Sequence, residues 1–106
     1  MNGTPHSSLA ALTVADGTLV ATPELPPDDL IPGLVSASDV LGTGWFGAAA
    51  AEAGPGKTVA VVGDGAVGLC AILAARQMGA ERIIAMSRHA DRQKLALEFG
   101  ATDIVT

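Results

Sequence analysis

Gly63, Gly65 and Gly68 interrupt an apolar run, VAVVGDGAVGL at residues 59–69, at a spacing that gives bare main chain a chemical use. Where a strand turns sharply into a helix at such a GxGxxG, the first glycine permits the turn and the second lets a pyrophosphate approach the backbone. The third lets helix and strand pack closely. The free amides and positive dipole end of a helix beginning near Ala66 then face the ligand's negative charge. With Asp64, Ala66 and Val67 between and beside the glycines, residues 63–68 form a candidate dinucleotide phosphate loop. The pattern alone is weak, because a glycine-rich chain of this length meets it by chance in about one case in five. Its flanks strengthen it. Residues 58–62 are mostly β-branched and of strand length, and 66–78 (AVGLCAILAARQM) are apolar nearly all round, as in a helix covered on more than one side. The plain alternative is a glycine-rich turn that binds nothing.

A site for NAD carries an acid about 20 residues further on, at the end of the second strand, to accept the ribose 2′-OH. Here that place falls on Ser87, nineteen residues after Gly68, followed by Arg88 and His89, and no carboxylate stands there. A hydroxyl beside a guanidinium suits a 2′-phosphate, since arginine offers bidentate donors and a full charge to a dianion. The pattern therefore favours NADP(H) over NAD(H). Arg92, one turn into the next helix, is a further cation for the same group. The plain reading of Arg88 and Arg92 is as solvated cations at a helix start, the usual fate of such residues.

These residues need elements to hold them, and beyond Pro55 the chain repeats a unit. A helix, Gly79-Ala80, two polar residues and Ile-Ile recur as a helix, Gly100-Ala101, two polar residues and Ile-Val, at a spacing of 21 residues. Each glycine reads as a helix C-cap leading into a strand. The predicted order is strand 58–62, helix 66–78, strand 82–86, helix 90–99 and a strand from Ile104. Such alternation makes a parallel sheet with right-handed crossovers. Upstream, Ser36 or Ser38 caps a helix over 39–53 that Gly54 and Pro55 stop. Its Gly42, Gly44 and Gly47 imply either another group close to the backbone or tight helix packing. Four prolines between Pro23 and Pro32 exclude a regular helix or central strand and read as a surface connection. ALTVA, Asp16-Gly17 and TLVAT over 11–22 read as a hairpin, and the polar start at 1–8, His6 included, as disordered.

Composition sets the outer limits. The 106 residues are 49% hydrophobic and 16% charged with only three aromatics, so one domain at most is expected, with an aliphatic, alanine-rich core. A full dinucleotide sheet has about six strands, more than this chain supplies, so the chain reads as part of something larger. A net charge of −5, with no lysine or arginine before Lys57, argues against a nucleic-acid surface. No run has the ~20 apolar residues of a membrane span, and the start lacks the pattern of a secretory signal, which predicts a cytoplasmic protein. Cys70, the sole cysteine, excludes an internal disulfide and a cysteine-rich zinc site and reads as a buried small hydrophobe.

Three stretches together, DVLGTGWFGA at 39–48, GPGKTVAVVGDGAVGL at 54–69 and ARQMGAERIIAMSRHADRQKLALEFGATDIV at 75–105, resemble the zinc-type alcohol dehydrogenases of the medium-chain dehydrogenase/reductase superfamily. The resemblance covers about residues 16–106 and implies an α/β chain with a partial Rossmann sheet. Residues 1–35 would then be the remnant of a catalytic domain, and 36–106 part of a dinucleotide-binding domain. It implies a homo-oligomeric parent enzyme that passes a hydride between NADP(H) and an alcohol or carbonyl beside a zinc ion. Asp39 matches the place of a third zinc ligand and Thr43 that of a threonine against the nicotinamide. The partner ligands of such a zinc belong to a domain absent from these residues, so cofactor binding without turnover is expected of the chain alone. Two other readings remain open: a non-catalytic remnant whose exposed sheet edge binds partners, and a Rossmann module for another nucleotide such as FAD.

Overall fold

The computed structural model describes residue 17 and residues 20–106. The polar start at 1–8 and most of the hairpin expected over 11–22 lie outside the described residues; Gly17 and residues 20–22 carry no strand. Among the described residues four α-helices and three strands run in the order α1 (Ile31–Leu34), α2 (Val40–Ala50), β1 (Thr58–Val62), α3 (Ala66–Gln77), β2 (Arg82–Met86), α4 (Ala90–Phe99) and β3 (Asp103–Val105). The sheet is parallel in the order β1-β2-β3, with Thr58 beside Arg82 and Val62 beside Met86, then Ile84 beside Asp103 and Met86 beside Val105. From residue 55 onward the predicted order holds, with boundaries within a residue or so. This is the partial Rossmann arrangement expected from alternating strand and helix patterns.

α3 is the centre of the packing: it lies on β1 and β2 and is flanked by α2 and α4. Leu69, Ile72, Ala74 and Ala75 of α3 meet Ile83 and Ala85 of β2, with Ala48, Ala96 and Ala101 completing an alanine-rich aliphatic core. Ile72 and Ile83 are its largest fully buried side chains. Val59 and Val61 of β1 pack against that core, whereas Thr58, Ala60 and Val62 on the alternate face are exposed. One face of the sheet is thus covered among the described residues.

The N-terminal half corrects three expectations. Pro32 does not exclude a helix: it sits in the first turn of α1, where its missing amide would have had no partner. The segment is otherwise a surface connection, with no buried residue from Asp28 to Ser38. Ser36 and Ser38 do not cap α2. Their hydroxyls donate backward to the carbonyls of Gly33 (2.7 Å) and Val35 (2.6 Å), and Asp39 stands at the N-cap without a side-chain cap bond. α2 ends at Ala50 rather than at residue 53, because Glu52 turns into the left-handed region at φ 58°. Among its glycines, Gly44 resolves in favour of tight packing: a Cβ there would lie 2.6 Å from the Ala71 amide nitrogen and 2.8 Å from the Cys70 Cβ. Gly42 and Gly47 meet nothing within 4 Å. Cys70 is buried as expected.

β2 and β3 are also tied at their outer ends. Arg82 forks onto Asp103, with Nε to Oδ2 at 2.8 Å and Nη2 to Oδ1 at 3.3 Å, and the Thr102 hydroxyl lies 2.7 Å from the same carboxylate. The Arg82 bond first, then that of Thr102, holds the Asp103 carboxyl below its usual range. Because the unfolded chain then takes up a proton that the folded chain refuses, this contribution is full above about pH 4 and is lost as pH falls through the lowered native value. Asp103→Asn is expected to flatten the acid limb of stability against pH by bringing the neutral plateau down toward the acid value, and by a small amount, since exposed pairs contribute little. Urea midpoints measured from pH 7 down to pH 3 check this, and an acid limb as steep as that of the unmodified chain contradicts it.

Candidate functional site

Parallel pairing of β1 and β2 places their C-terminal ends side by side, and the loops that leave them enclose a cleft of about 440 Å³. Gly63 and Asp64 line it from the first loop, Ser87, Arg88 and His89 from the second, with Val62, Met86 and Thr106 at the margins. Clefts at the carboxyl ends of parallel strands are where open α/β sheets bind ligands.

The first loop turns as its glycines predict. Gly63 adopts φ 119°, a conformation that side chains disfavour, and this lets the chain leave β1 sharply. Gly65 is the N-cap of α3 with open space around its absent side chain. Gly68 lies directly against the turn: a Cβ would stand 2.8 Å from the Gly63 carbonyl carbon and closer still to its oxygen. The third glycine therefore lets α3 start where it does, and the second leaves an unobstructed approach. Ala66 and Val67, the first residues of α3, are exposed but do not line the cleft.

Across the cleft Ser87 is fixed. It is 3% exposed, its amide donates to the Val105 carbonyl at 2.9 Å, and its carbonyl accepts from Gln93 Nε2 at 2.8 Å. Its hydroxyl donates to Asp64 Oδ2 at 2.8 Å, and Arg92 Nη1 meets Asp64 Oδ1 at 2.9 Å. The Ser87 bond, followed by the Arg92 bond, lowers the Asp64 carboxyl from its ordinary value. A carboxylate is therefore at hand beside Ser87 after all, supplied by the first loop rather than by the end of β2. Arg92 is thus exposed at the start of α4, as a solvated cation would be, but paired with Asp64. Arg88 is exposed and makes no hydrogen bond or ion pair among the described residues, and His89 is the exposed N-cap of α4 without a side-chain cap bond. Gln93 was not singled out by pattern; its role as the clamp on Ser87 depends on a helix face that sequence spacing alone does not orient.

Asp39 and Thr43 meet at the start of α2, where the Thr43 hydroxyl donates to Asp39 Oδ1 at 3.0 Å. Neither lines the cleft. Among the described residues no group of three or more His, Cys, Asp or Glu side chains converges. These residues do not fit a zinc centre by themselves, since such a centre takes three protein ligands.

Comparison with known proteins agrees with the fold. Residues 66–106 match the family described as zinc-binding dehydrogenase. An NADP-dependent isopropanol dehydrogenase of Entamoeba histolytica is 40% identical over 92 residues, covering 86% of this chain and 24% of that protein. The alcohol dehydrogenase TADH of Thermus sp. ATN1 superposes with a TM-score of 0.65 at 38% identity, over 78% of this chain and 23% of the other. A zinc-binding dehydrogenase of Sinorhizobium meliloti 1021, solved bound to NADP, superposes with a TM-score of 0.56 at 34% identity, over 62% of this chain and 19% of the other. The chain spans about a quarter of the length of the curated relatives it matches.

Proposed function

Since the C-terminal region of this chain belongs to the zinc-type alcohol dehydrogenases of the medium-chain dehydrogenase/reductase superfamily, we propose that the cleft is the adenosine-phosphate half of a site for NADP(H). The observation that carries the reading is the open glycine turn facing the buried Ser87 hydroxyl and the Arg88 guanidinium, which has no partner among the described residues. The main chain of Gly63, Gly65 and Ala66 would take the pyrophosphate against the amide end of α3. Ser87, Arg88 and Arg92 would take the 2′-phosphate, with His89 at the margin. Asp64 and Val67 complete the loop, and Gly68 sets its geometry. The NADP named for two of the relatives supports the same choice.

In the whole enzyme the bound nicotinamide would supply the hydride acceptor or donor for a small alcohol or carbonyl substrate. The described residues contribute orientation to that reaction: a fixed loop, a fixed serine and a cation that hold the cofactor's distal end. By resemblance, Thr43 would lie against the nicotinamide and Asp39 would be one metal ligand of a parent that is homo-oligomeric and cytoplasmic. The described residues hold no further ligand set, and the chain alone would bind cofactor without turnover. Residues 1–35 would belong with the catalytic part and 36–106 with the cofactor-binding part.

Titration of the chain with NADPH and NADH, by calorimetry, tests the reading. Saturable binding with a preference for NADPH is expected. Arg88→Ala should reduce that preference by about tenfold, the worth of one well-placed charge-assisted contact, while NADH affinity stays within a factor of about two. Equal affinity for both cofactors in the unmodified chain overturns the choice of NADP(H).

A further inference from the structure

We propose that Asp64 is a specificity-determining residue of the cleft: its carboxylate holds the Ser87 hydroxyl and the Arg92 guanidinium, competes with a 2′-phosphate for them, and so tempers the preference for NADP(H) over NAD(H). The inference rests on the cleft being a dinucleotide site, as argued above.

The competition follows from donor supply. Ser87 has one hydroxyl proton, and that proton is committed to Asp64 Oδ2 at 2.8 Å. The main chain of Ser87 is held, because its amide and carbonyl are both bonded, to Val105 and Gln93, and the residue is 3% exposed, so its hydroxyl reaches another acceptor only by turning away from Asp64. Arg92 reaches Asp64 through Nη1 alone, so its other donors stay free, but its charge is already half answered. An arriving phosphate must therefore either displace the carboxylate or sit beside it.

Charge counting gives the direction. Arg88 lines the cleft and Arg92 stands beside it, paired with the lining residue Asp64, so of the two positive charges Asp64 cancels one. Its side chain is 16% exposed and that of Arg92 about half exposed, so water screens the pair only in part. The carboxyl is ionised at neutral pH, and the Ser87 bond followed by the Arg92 bond lowers it further from its ordinary value. A 2′-phosphate meets a net single positive charge, with a carboxylate in contact with two of its intended donors. A bare 2′-hydroxyl, in contrast, can donate to that same carboxylate. Asp64 thus does from the first loop what an acid at the end of β2 does in a site for NAD.

Asp64→Asn tests this, since the amide oxygen still accepts from Ser87 while the negative charge is gone. Calorimetric titration of the 106-residue chain and its variant with 2′,5′-ADP and with 5′-AMP isolates the half-site. Removal of one repulsive unit charge at close range is expected to tighten 2′,5′-ADP about tenfold and to weaken or leave unchanged 5′-AMP, raising the ratio accordingly. An unchanged or lower ratio overturns the role of Asp64. Equal weakening of both ligands also overturns it, by showing that Asp64 serves only to shape the loop. Failure of both proteins to bind either nucleotide overturns the cofactor-site reading itself, and this inference with it. Urea midpoints of the two proteins establish that the comparison is between folded chains.

Discussion

Gly68→Val is expected to abolish NADPH binding and to lower stability by about 2–3 kcal/mol, the scale of overpacking against an unyielding neighbour. The obstacle is main chain: the new Cβ would stand 2.8 Å from the Gly63 carbonyl carbon. A flexible side chain could rotate away, but Gly63 is held at φ 119° by the turn out of β1. The molecule must therefore lift the start of α3 off the turn or unwind it. Either movement carries away the amides that would face a pyrophosphate, so affinity and stability fall together. Gly65→Ala provides the contrast, because its Cβ meets no protein atom within 4 Å and its φ of −82° suits any residue. That variant should keep its urea midpoint while its cofactor affinity drops, since the methyl intrudes only on a ligand. Chemical denaturation followed by circular dichroism, paired with calorimetric titration, separates the two. Unchanged stability in Gly68→Val contradicts the close contact.

The second large effect concerns the core. Ile72→Ala is expected to cost about 2–5 kcal/mol, the transfer term for the lost methyl groups plus the cavity they leave. Few large side chains share the load here: among the described residues, apart from Leu69, Ile72 and Ile83, the buried hydrophobic residues are alanines and Cys70. Alanine neighbours have no side-chain freedom with which to collapse into the space, which puts this site toward the upper part of that range. Small domains are stable by about 5–15 kcal/mol in all, and a three-stranded sheet with one covered face belongs at the low end. Ile72→Ala should consequently unfold a measurable fraction of the chain at room temperature, visible as lost helical ellipticity and a shifted urea midpoint. A loss below about 1 kcal/mol would mean that α3 relaxes onto the sheet far more easily than its packing implies.

Both variants act on α3, and α3 was plain from the letters. Its apolar composition, the β-branched strand before it and the glycine at its end are local signals, and β1, β2 and α4 came out with boundaries within a residue or so for the same reason. α2 was less legible. Its expected serine caps and its expected end at residue 53 depended on where two hydroxyls and one backbone turn would go. The serines bonded backward to Gly33 and Val35, and Glu52 took the left-handed turn before Gly54 was reached. Capping residues compete among several nearby backbone groups, and their types alone do not settle the contest.

What the amino-acid sequence determined by itself was the alternation of strand and helix, the glycine turn and the set of residues at its mouth, because periodicity and backbone freedom are properties of short segments. What only the tertiary structure decided was the company those residues keep. Asp64 is 23 positions from Ser87 and 28 from Arg92 along the chain, yet bonded to both. Parallel pairing with Val62 beside Met86 sets the ends of β1 and β2 next to each other, so a loop acid and a distant serine share one cleft. No local pattern records that distance; it is fixed by strand register, which the hydrophobic faces of the whole sheet select together.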